Sequence, residues 1–309
     1  MVKLHLDTDI GGDMDDLCAL AMLLSWRAVM LTGITTAAEA AGRRAGYVAY
    51  VLALANRTEI PFAAGADATA EIGYRLIPTY HPDELLWPEP VAPRPGPIED
   101  ALELMKASVD AGAVLVGTGP FTNFRLLEAR TPGILARARI VLMGGCPFPP
   151  RAGLPPWGQE EDYNFQADPV SSLFVLAHAQ PLVVPLSLSL ETALRGSDLP
   201  ALRQAGSLGA LLAYQAERWL DVEPQNAALA REYDGLPDDF INFHHDPLAC
   251  AVGAGWDGVT IESHPFDMHE QDGNLVERAA PDGPPRQCVT SVDAQRFNRF
   301  WLECITSHV

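Results

Sequence analysis

Apolar runs of strand length alternate along the chain with segments whose apolar residues recur at helical spacing. From the amino end, the strand-length runs are VKLHLD, VMLTGITT, IPFAAGA, AVLVGTG, ARIVLMGG and PLVVPLSL. The segments between them carry apolar residues three and four positions apart, the period of an amphipathic helix. Strands that alternate with helices predict an α/β fold with a mostly parallel, Rossmann-like central sheet and helices on both faces.

The remaining segments are predicted as helices, proline-rich loops and an insert. The predicted helices are LCALAMLLSW, AEAAGRRAGYVAYVLALAN, IEDALELMKASVDA, TNFRLLEART and DPVSSLFVLAH. Residues 78–97 contain seven prolines and residues 147–158 are also proline-rich, so both are predicted as loops. Residues 198–244 are predicted as a mainly helical insert. The chain then ends in two strands, GVTIESH and RQCVTSV, and a closing helix, DAQRFNRFWLECI.

Composition narrows the class of protein. With 309 residues, no internal repeat and no linker, we expect a single domain over residues 1–309. The 21 basic and 40 acidic residues give a formal charge of −19, which argues against nucleic acid as a partner. No signal-peptide pattern or membrane-length apolar run is found, so we expect a cytoplasmic location and no membrane partner. The cysteines lack CxxC spacing and are predicted to be reduced thiols: Cys18, Cys146, Cys250, Cys288 and Cys304.

A run of aspartates follows the first predicted strand, in the stretch DTDIGGDMDD. Its members are Asp7, Asp9, Asp13, Asp15 and Asp16. Carboxylates this close cannot all stay ionised cheaply unless a positive charge lies between them, and Ca²⁺ and Mg²⁺ prefer such oxygen ligands. The carboxyl end of a parallel strand is also where open α/β sheets bind ligands, which favours a site over a solvated acidic turn.

Two known motifs were compared with this run. An EF-hand starting at Asp7 would place Gly12 correctly at its sixth position, but it would place Cys18 where a bidentate glutamate is needed. The EF-hand is therefore excluded. A phosphoaspartate hydrolase also carries two aspartates one residue apart after its first strand. It needs a downstream lysine near the site, and neither Lys3 nor Lys106 is well placed.

Further candidates lie along the chain. FINFHHDPLACAV places His245 and Asp246 before an apolar helix, where Asp246 could cap the helix with Pro247 at its first position. A His beside an Asp can equally offer a proton donor and a metal ligand, while the adjacent His244 is expected to point elsewhere. VGTGPFTNF and ARIVLMGG end buried strands at the sheet edge, and EEDYNFQADP holds further polar groups. Taken singly, each of these stretches is a common turn or cap.

Taken together and in this order, these blocks resemble the inosine–uridine-preferring nucleoside hydrolase family. The matching blocks are LDTDIGGDMDD, TGPFTN, IVLMGG, DYNFQADP, HHDPLA and VDAQRFNRFW, which span nearly the whole chain. The first block and the HDP block are specific, whereas TGPFTN and MGG would be weak alone. The resemblance implies the nucleoside hydrolase fold and hydrolysis of the N-glycosidic bond of a ribonucleoside, giving ribose and free base.

The resemblance also implies a Ca²⁺ ion at the floor of a ribose pocket. Its ligands would be the carboxylates of Asp9, Asp16 and Asp246 and the backbone carbonyl of Thr118. Asp9 would in addition be the general base that activates the attacking water. Asp13 falls where the loop is longer than in the shorter form of the motif, and we expect it to support the site without binding the metal.

The remaining roles concern the substrate. The resemblance implies that Asp15 holds a ribose hydroxyl and that Asn164 and Asp162 belong to the ribose site. His81 is a further candidate for substrate binding. His245 matches the histidine proposed in some members as the acid that protonates the departing base. We also expect a small-molecule nucleoside as the partner and a homo-oligomer, either a dimer or a tetramer.

These residue types suit the reaction. N-glycosidic cleavage passes through an oxocarbenium-like ribosyl cation, which anionic carboxylates stabilise. A metal and an aspartate together make water easier to deprotonate, and carboxylates that grip the ribose diol position the sugar for attack. The base is a poor leaving group as an anion, so a proton donor helps it depart.

Several positions depart from the family pattern at the rim of the expected site. A family Gly-Asn pair is replaced by Glu39-Ala40, the acid of the ribose site is Asp162 rather than Glu, and the usual Asn after MGG is replaced by a stretch that contains Pro155 and Pro156. The His81 loop lacks the usual His-Gly pair, and a family aspartate is replaced by Ser187. Two alternatives stay open: an enzyme for a modified or non-standard ribosyl compound, and a non-catalytic ribose-binding protein. Four aromatic residues could stack on a base, although an aromatic residue in a helix more often belongs to the core: Trp157, Trp219, Tyr233 and Phe240.

Overall fold

The computed structural model describes residues 1–67, 83–280 and 282–307. The strands are β1 (Val2–Thr8), β2 (Val29–Thr36), β3 (Phe62–Ala63), β4 (Val114–Gly117), β5 (Arg139–Met143), β6 (Leu182–Val184), β7 (Ala193–Arg195), β8 (Phe240–Phe243), β9 (Val259–Ser263), β10 (Phe266–Gln271), β11 (Asn274–Ala279) and β12 (Gln287–Val292). The helices are α1 (Asp15–Ser25), α2 (Arg43–Leu54), α3 (Ile98–Asp110), α4 (Thr122–Arg130), α5 (Ile134–Arg137), α6 (Tyr163–Ala167), α7 (Pro169–His178), α8 (Leu186–Ser189), α9 (Leu199–Gln204), α10 (Gly206–Val222), α11 (Pro224–Glu232), α12 (His245–Gly253) and α13 (Ala294–Thr306).

The central sheet has eight strands in the order β3-β2-β1-β4-β5-β6-β12-β9. All neighbours are parallel except β12 and β9, which are antiparallel. The first six strands follow the order of a Rossmann sheet, and the chain reverses its direction of travel between β1 and β4. Ligands bind in the crevice beyond the carboxyl ends of strands at such a reversal. The predicted α/β fold with a mostly parallel sheet is confirmed.

Both faces of the sheet are covered by apolar side chains. On β4, Val114 and Val116 pack into one buried cluster, together with α1, α12 and Trp301 of α13. Leu115, between them, packs into a second cluster with Phe124 of α4. This alternation explains why the inner strands are almost continuously apolar, since each successive residue meets a different helical layer.

The helix predicted to start near residue 38 begins instead at Arg43. Ala38 and Ala41 have φ values of 46° and 53°, so the chain turns there before the helix starts. The Glu39 carboxylate accepts hydrogen bonds from the backbone N–H groups of Ala40 (2.8 Å) and Arg44 (3.0 Å). Glu39 therefore supplies acceptors for N–H groups at the start of α2, a role that its residue type alone does not indicate.

The strand predicted over PLVVPLSL is only partly correct. Strand β6 ends at Val184, and the chain continues through Pro185 into the short helix α8. Proline has no N–H to donate to a strand ladder, so Pro185 ends the pairing although the apolar alternation continues beyond it.

The carboxyl-terminal part contains the two predicted strands, β9 and β12, and the closing helix α13, with a hairpin between the strands that was not predicted. Strands β10 and β11 pair antiparallel around Asp272 and Gly273, whose φ values are 55° and 81°. An Asp-Gly pair between two strand-like runs is a strong signal for a two-residue hairpin, and it was present in the sequence as EQDGNL.

The segment 198–244 contains the helices α9, α10 and α11 and ends in β8, which pairs antiparallel with β7. All five cysteines are free thiols. Within the described ranges, no helix has both the length and the apolar character needed to cross a membrane.

Candidate active site

A pocket of about 310 Å³ opens beyond the carboxyl ends of β1, β4 and β5, at the reversal point of the sheet. It is lined by the predicted site residues Asp9, Asp15, Asp16, Thr118, Asp162, Asn164, His245 and Asp246. His81 lies outside the described residues. The pocket therefore gathers residues that are more than 230 positions apart in the chain.

Three buried carboxylates form what we call the floor cluster: Asp15, Asp16 and Asp246. One oxygen of each lies within 4.8 Å of the others. Asp15 and Asp16 occupy the first turn of α1, and Asp246 occupies the first turn of α12. The Asp246 backbone N–H donates to Asp15 Oδ2 at 3.1 Å. Two helix starts thus bring their acids to one point.

The alternative in which Asp246 caps α12 is wrong. The helix begins one residue earlier, at His245, and the residue before it, His244, makes no capping hydrogen bond through its side chain. The carboxylate of Asp246 is turned towards the floor cluster, and its hydrogen-bonding partner there is Asp16. Asp246 is therefore available for the pocket.

The floor cluster is electrostatically unfavourable for three anions. Burial, followed by the charges of Asp13 and Asp16, raises the pKa of Asp15 well above its usual range. Burial and then the charges of Asp15 and Asp16 raise the pKa of Asp246 in the same way. A hard divalent cation would remove this repulsion, because it takes carboxylate oxygens as ligands. The donor set fits such an ion.

Asp9 lines the same pocket but lies outside the group of mutually close carboxylates. Its side chain packs against Gly119, where an added Cβ would fall 2.9 Å from Asp9 Oδ1. A side chain at position 119 would displace the carboxylate. Burial is the main cause that raises the pKa of Asp9, the charge of Asp16 adds to it, and Arg44 opposes both.

Two threonines tie the ends of β1 and β4 to the floor cluster. The hydroxyl of Thr8 donates to Asp16 Oδ1. The backbone N–H of Thr118 donates to the carbonyl of Asp7 at 2.8 Å, and its hydroxyl lies 3.5 Å from Asp16 Oδ1. Thr118 is thus held beside Asp16 by the pairing of the two strands.

Asp7 and Asp13, the other members of the aspartate run, support the site from different sides. Asp7 is buried under the sheet edge and accepts hydrogen bonds from Thr35 (2.5 Å) and from Asn123 (2.7 Å). Burial raises the pKa of Asp7 to about 7. Asp13 accepts from the backbone N–H of Asp15 at 3.2 Å and from the side chain of Asn242.

The opposite wall of the pocket is built on the glycine pair that ends β5. The Gly145 N–H donates to Asp162 Oδ2 at 2.5 Å, and the Asn164 side-chain amide donates to the carbonyl of Met143 at 3.2 Å. Gly144 has φ 128°, and a Cβ there would lie 2.5 Å from the ring of Phe165. Gly144 is therefore required by close packing against Phe165 and Asp162.

A second acidic group, which we call the hairpin cluster, adjoins this wall: Cys146, Asp162 and Glu277. One ligand atom of each lies within 4.8 Å of the others. Glu277 comes from β11, and its carboxylate accepts from the Cys146 N–H at 2.7 Å. Burial raises the pKa of Asp162 to about 7, and burial together with the charge of Asp162 raises the pKa of Glu277 to about 8. Glu277 was missed because its hairpin was not predicted.

The adjacent histidines of HHD face different surroundings. His245 is partly exposed and lines the pocket, with Nδ1 2.7 Å from the hydroxyl of Ser189. His244 is fully buried, and its ring lies 4.3 Å from that of Trp301 between centroids. The expectation that His244 points away from the site is confirmed.

Other pocket residues carried little signal in the sequence. Trp157 and Trp219 line the pocket, whereas Phe240 and Tyr233 belong to a small apolar cluster outside it. Arg44 also lines the pocket, and its guanidinium donates to the backbone carbonyls of Ala38 (2.9 Å) and Ile10 (3.1 Å). The remaining unpredicted lining residues are Gly12, Met143, Glu161, Tyr163, Leu186 and Glu223.

Comparisons of the sequence with known proteins find related ribonucleoside hydrolases. Among curated relatives, the pyrimidine-specific ribonucleoside hydrolase RihA of Shewanella sp. (strain ANA-3) is 27% identical over 259 residues, covering 81% of this chain and 73% of the relative. RihA of Salmonella paratyphi A (strain ATCC 9150 / SARB42) is 29% identical over 261 residues, covering 81% and 74%.

Solved structures support the fold. The purine-preferring ribonucleoside hydrolase from Gardnerella vaginalis superposes with a TM-score of 0.78 at 22% identity, covering 99% of this chain and 98% of that one. The plant nucleoside hydrolase PpNRh1 superposes with a TM-score of 0.77 at 18% identity, covering 99% of both chains.

The family model described as inosine-uridine preferring nucleoside hydrolase matches residues 4–299, which confirms the resemblance seen in the sequence blocks. With a match over almost its entire length, this chain belongs to the inosine-uridine preferring nucleoside hydrolase family.

Proposed function

We propose that this protein hydrolyses the N-glycosidic bond of a ribonucleoside, giving ribose and a free base. The observation that carries the proposal is the floor cluster, in which the buried carboxylates of Asp15, Asp16 and Asp246 meet within 4.8 Å in a pocket large enough for a small ligand. Family membership and relatives that are named ribonucleoside hydrolases support the same conclusion.

The sugar would be held between the two walls of the pocket. Asp15 on one side, and Asn164 and Asp162 on the other, offer oxygens and an amide to the ribose hydroxyls. Fixing the diol between these groups orients the anomeric carbon for attack. The same anionic surroundings stabilise the positive charge that develops on the ribose ring as the glycosidic bond breaks.

The metal that best fits the donors is Ca²⁺, since the ligands would be oxygens of Asp9, Asp16, Asp246 and the Thr118 carbonyl. The chemistry that a bound ion supplies is Lewis-acid assistance to the deprotonation of water. The residues around the ion would contribute by positioning its ligands: the hydroxyls of Thr8 and Thr118 orient the Asp16 carboxylate by hydrogen bonds.

Asp9 would act as the general base. Its position against Gly119 fixes the carboxylate at the pocket surface, where it can accept a proton from water. The proton of the attacking water passes to this carboxylate as the oxygen bonds to the anomeric carbon.

His245 would act as the acid that protonates the departing base. Burial lowers the pKa of His245 to about 3, so the ring by itself is neutral at physiological pH. To donate a proton, the ring must become cationic in the substrate complex, where the carboxylates of the floor cluster favour a positive charge.

The assembly into a homo-oligomer and the cytoplasmic location stay predictions.

The test is a panel of purine and pyrimidine ribonucleosides, assayed for release of base and of reducing sugar. We expect release of both products with Ca²⁺ present, loss of activity after treatment with a chelator, and recovery when Ca²⁺ is added back. Binding of ribosides without any release of base would instead identify a ribose-binding protein, and activity that survives the chelator would refute the role of the metal.

A further inference from the structure

A buried serine contacts the histidine of the pocket. Ser189 is the last residue of α8 and has no exposed surface, and its Oγ lies 2.7 Å from Nδ1 of His245. His245 in turn lines the pocket, and its ring packs beside Phe243 with 5.2 Å between ring centroids. Ser189 itself does not line the pocket. It can influence chemistry there only through the imidazole.

The direction of this hydrogen bond follows from the other contact of the hydroxyl. Ser189 Oγ also lies 3.0 Å from the carbonyl oxygen of Leu186, to which only a donor can bond. A hydroxyl has one proton, so a serine that donates to Leu186 must accept from its second partner. We infer that Ser189 is a positioning residue that accepts a hydrogen bond from Nδ1–H of His245 and thereby leaves Nε2 as the ring nitrogen available to the substrate.

The serine is held rigidly in this position. Thr192 Oγ1 donates to the carbonyl of Ser189 at 3.0 Å, and the backbone N–H of His244 donates to the carbonyl of Thr192 at 3.0 Å. The other end of α8 is tied to the glycine pair by a bond from the Leu186 N–H to the Gly145 carbonyl, at 2.9 Å. The turn that carries Ser189 is therefore tied both to the segment just before α12 and to the glycine pair.

Fixing the tautomer matters for the reaction, a point that rests on the proposed function. With Nδ1–H directed at Ser189 in both the neutral and the cationic ring, one nitrogen alone can exchange hydrogen bonds with the departing base. Without Ser189, the ring can rotate and can place its proton on either nitrogen, which lowers the fraction of complexes with the productive arrangement.

The kinetic test compares Ser189→Ala with Ser187→Ala. Ser187 lies in the same short helix and is also buried, but it does not line the pocket, contrary to the rim position expected for it, and its hydroxyl has no hydrogen-bond partner within the described part of the chain. We expect Ser189→Ala to lower kcat on natural nucleosides by about tenfold or more, with little change in KM; this loss is smaller than the ~10²-fold expected when a general acid is removed. p-Nitrophenyl riboside, whose leaving group departs without a proton, should be hydrolysed at an almost unchanged rate, and Ser187→Ala should match wild type on both substrates.

The structural test is the nitrogen NMR spectrum of ¹⁵N-histidine-labelled wild-type protein, with His245 assigned by comparison with His245→Ala. We expect a neutral ring protonated at Nδ1, and a mixture of tautomers in Ser189→Ala. A ring protonated at Nε2 in the wild type, or equal kinetic losses on both substrates in Ser189→Ala, would overturn the inference. The spectrum needs no activity, so it decides the tautomer even if Ser189→Ala fails to fold, whereas wild-type protein that releases no base from any nucleoside would refute the proposed function alone.

Discussion

The floor cluster and the hairpin cluster each bring acidic side chains within 4.8 Å of one another, but different groups stabilise the carboxylates in the two clusters. In the hairpin cluster each carboxylate accepts a backbone N–H from the glycine turn, Asp162 from Gly145 and Glu277 from Cys146. In the floor cluster, within the described residues, only Asp15 accepts a backbone N–H, that of Asp246, and the charges of neighbouring acids raise the pKa values of both Asp15 and Asp246.

This difference indicates which cluster needs an ion. In the hairpin cluster, hydrogen bonds from N–H groups and one proton shared by the two carboxylates can relieve the charge repulsion near neutral pH, because the pKa values of Asp162 and Glu277 lie at about 7 and 8. The floor cluster has three acids and one such donor, so a cation is the better partner for it. Crowding of carboxylates alone does not define a metal site. Here the two clusters differ in how many backbone N–H groups donate to the carboxylates, and the cluster with fewer donors is the one expected to bind the cation.

The largest effect is expected for Asp16→Ala. The substitution removes a central carboxylate of the floor cluster, so we expect bound Ca²⁺ and hydrolysis of nucleosides to be lost together. Elemental analysis and a turnover assay measure the two losses. After treatment with a chelator, the variant should unfold at no lower temperature than wild type, since it also loses a buried like charge. Retention of both metal and turnover would contradict the role of the floor cluster.

A smaller but still large effect is expected for Asp9→Asn. The amide keeps the size of the side chain against Gly119 but cannot accept the proton of water, so we expect kcat to fall by about 10⁴-fold, the upper end for a positioned acid or base. The melting temperature and the circular dichroism spectrum should stay close to those of wild type. Turnover within tenfold of wild type would assign the base to another residue.

For His245→Ala, we expect an effect that depends on the leaving group. Natural nucleosides should be hydrolysed about 10²–10³-fold more slowly, whereas p-nitrophenyl riboside should be only slightly affected. His244→Ala is the comparison: it removes a buried ring that packs on Trp301, so it should lower the melting temperature without separating the two substrates. Equal losses on both substrates in His245→Ala would exclude it as the acid.

The last prediction concerns stability rather than turnover: Glu277→Gln tests the hairpin cluster through the pH dependence of the free energy of unfolding. The pKa of Glu277 is about 8 in the folded protein against an ordinary value of 4.5, so the wild type loses stability as pH rises from about 4.5 through about 8. Glu277→Gln keeps an acceptor for the Cys146 N–H and removes this dependence. At pH 8 we expect it to gain about 3 kcal/mol relative to wild type, compared with pH 5. Chemical unfolding at both pH values measures the gain, and the same difference at both would contradict it.

Much of the fold could be predicted from sequence because strands β4 and β5 are almost continuously apolar, and because strands β1, β2, β4 and β5 are followed by helices of regular period. The aspartate run and the HDP block also point to the pocket, since each lies where a strand gives way to a helix and parallel strands end at one edge. Each of these signals is formed by residues that are neighbours in the chain, so a single sequence is enough to recognise it.

Other features depend on contacts that no local pattern contains. Ser189 contacts His245 because Pro185 ends β6 and the chain continues as the short helix α8. The apolar alternation of this stretch predicts a longer strand instead. Glu277 reaches Asp162 across a hairpin from more than 100 residues away. Arg44 lines the pocket because the chain turns at Ala38 and Ala41 and delays the start of α2.

The most direct test of a cation at the floor cluster is a calorimetric titration of Ca²⁺ into chelator-treated protein. We predict that wild type and Asp162→Asn each bind one ion per chain, and that Asp16→Asn releases no heat of binding. Binding by Asp16→Asn that equals wild type, or loss of binding in Asp162→Asn alone, would contradict the assignment and would move the metal to the hairpin cluster.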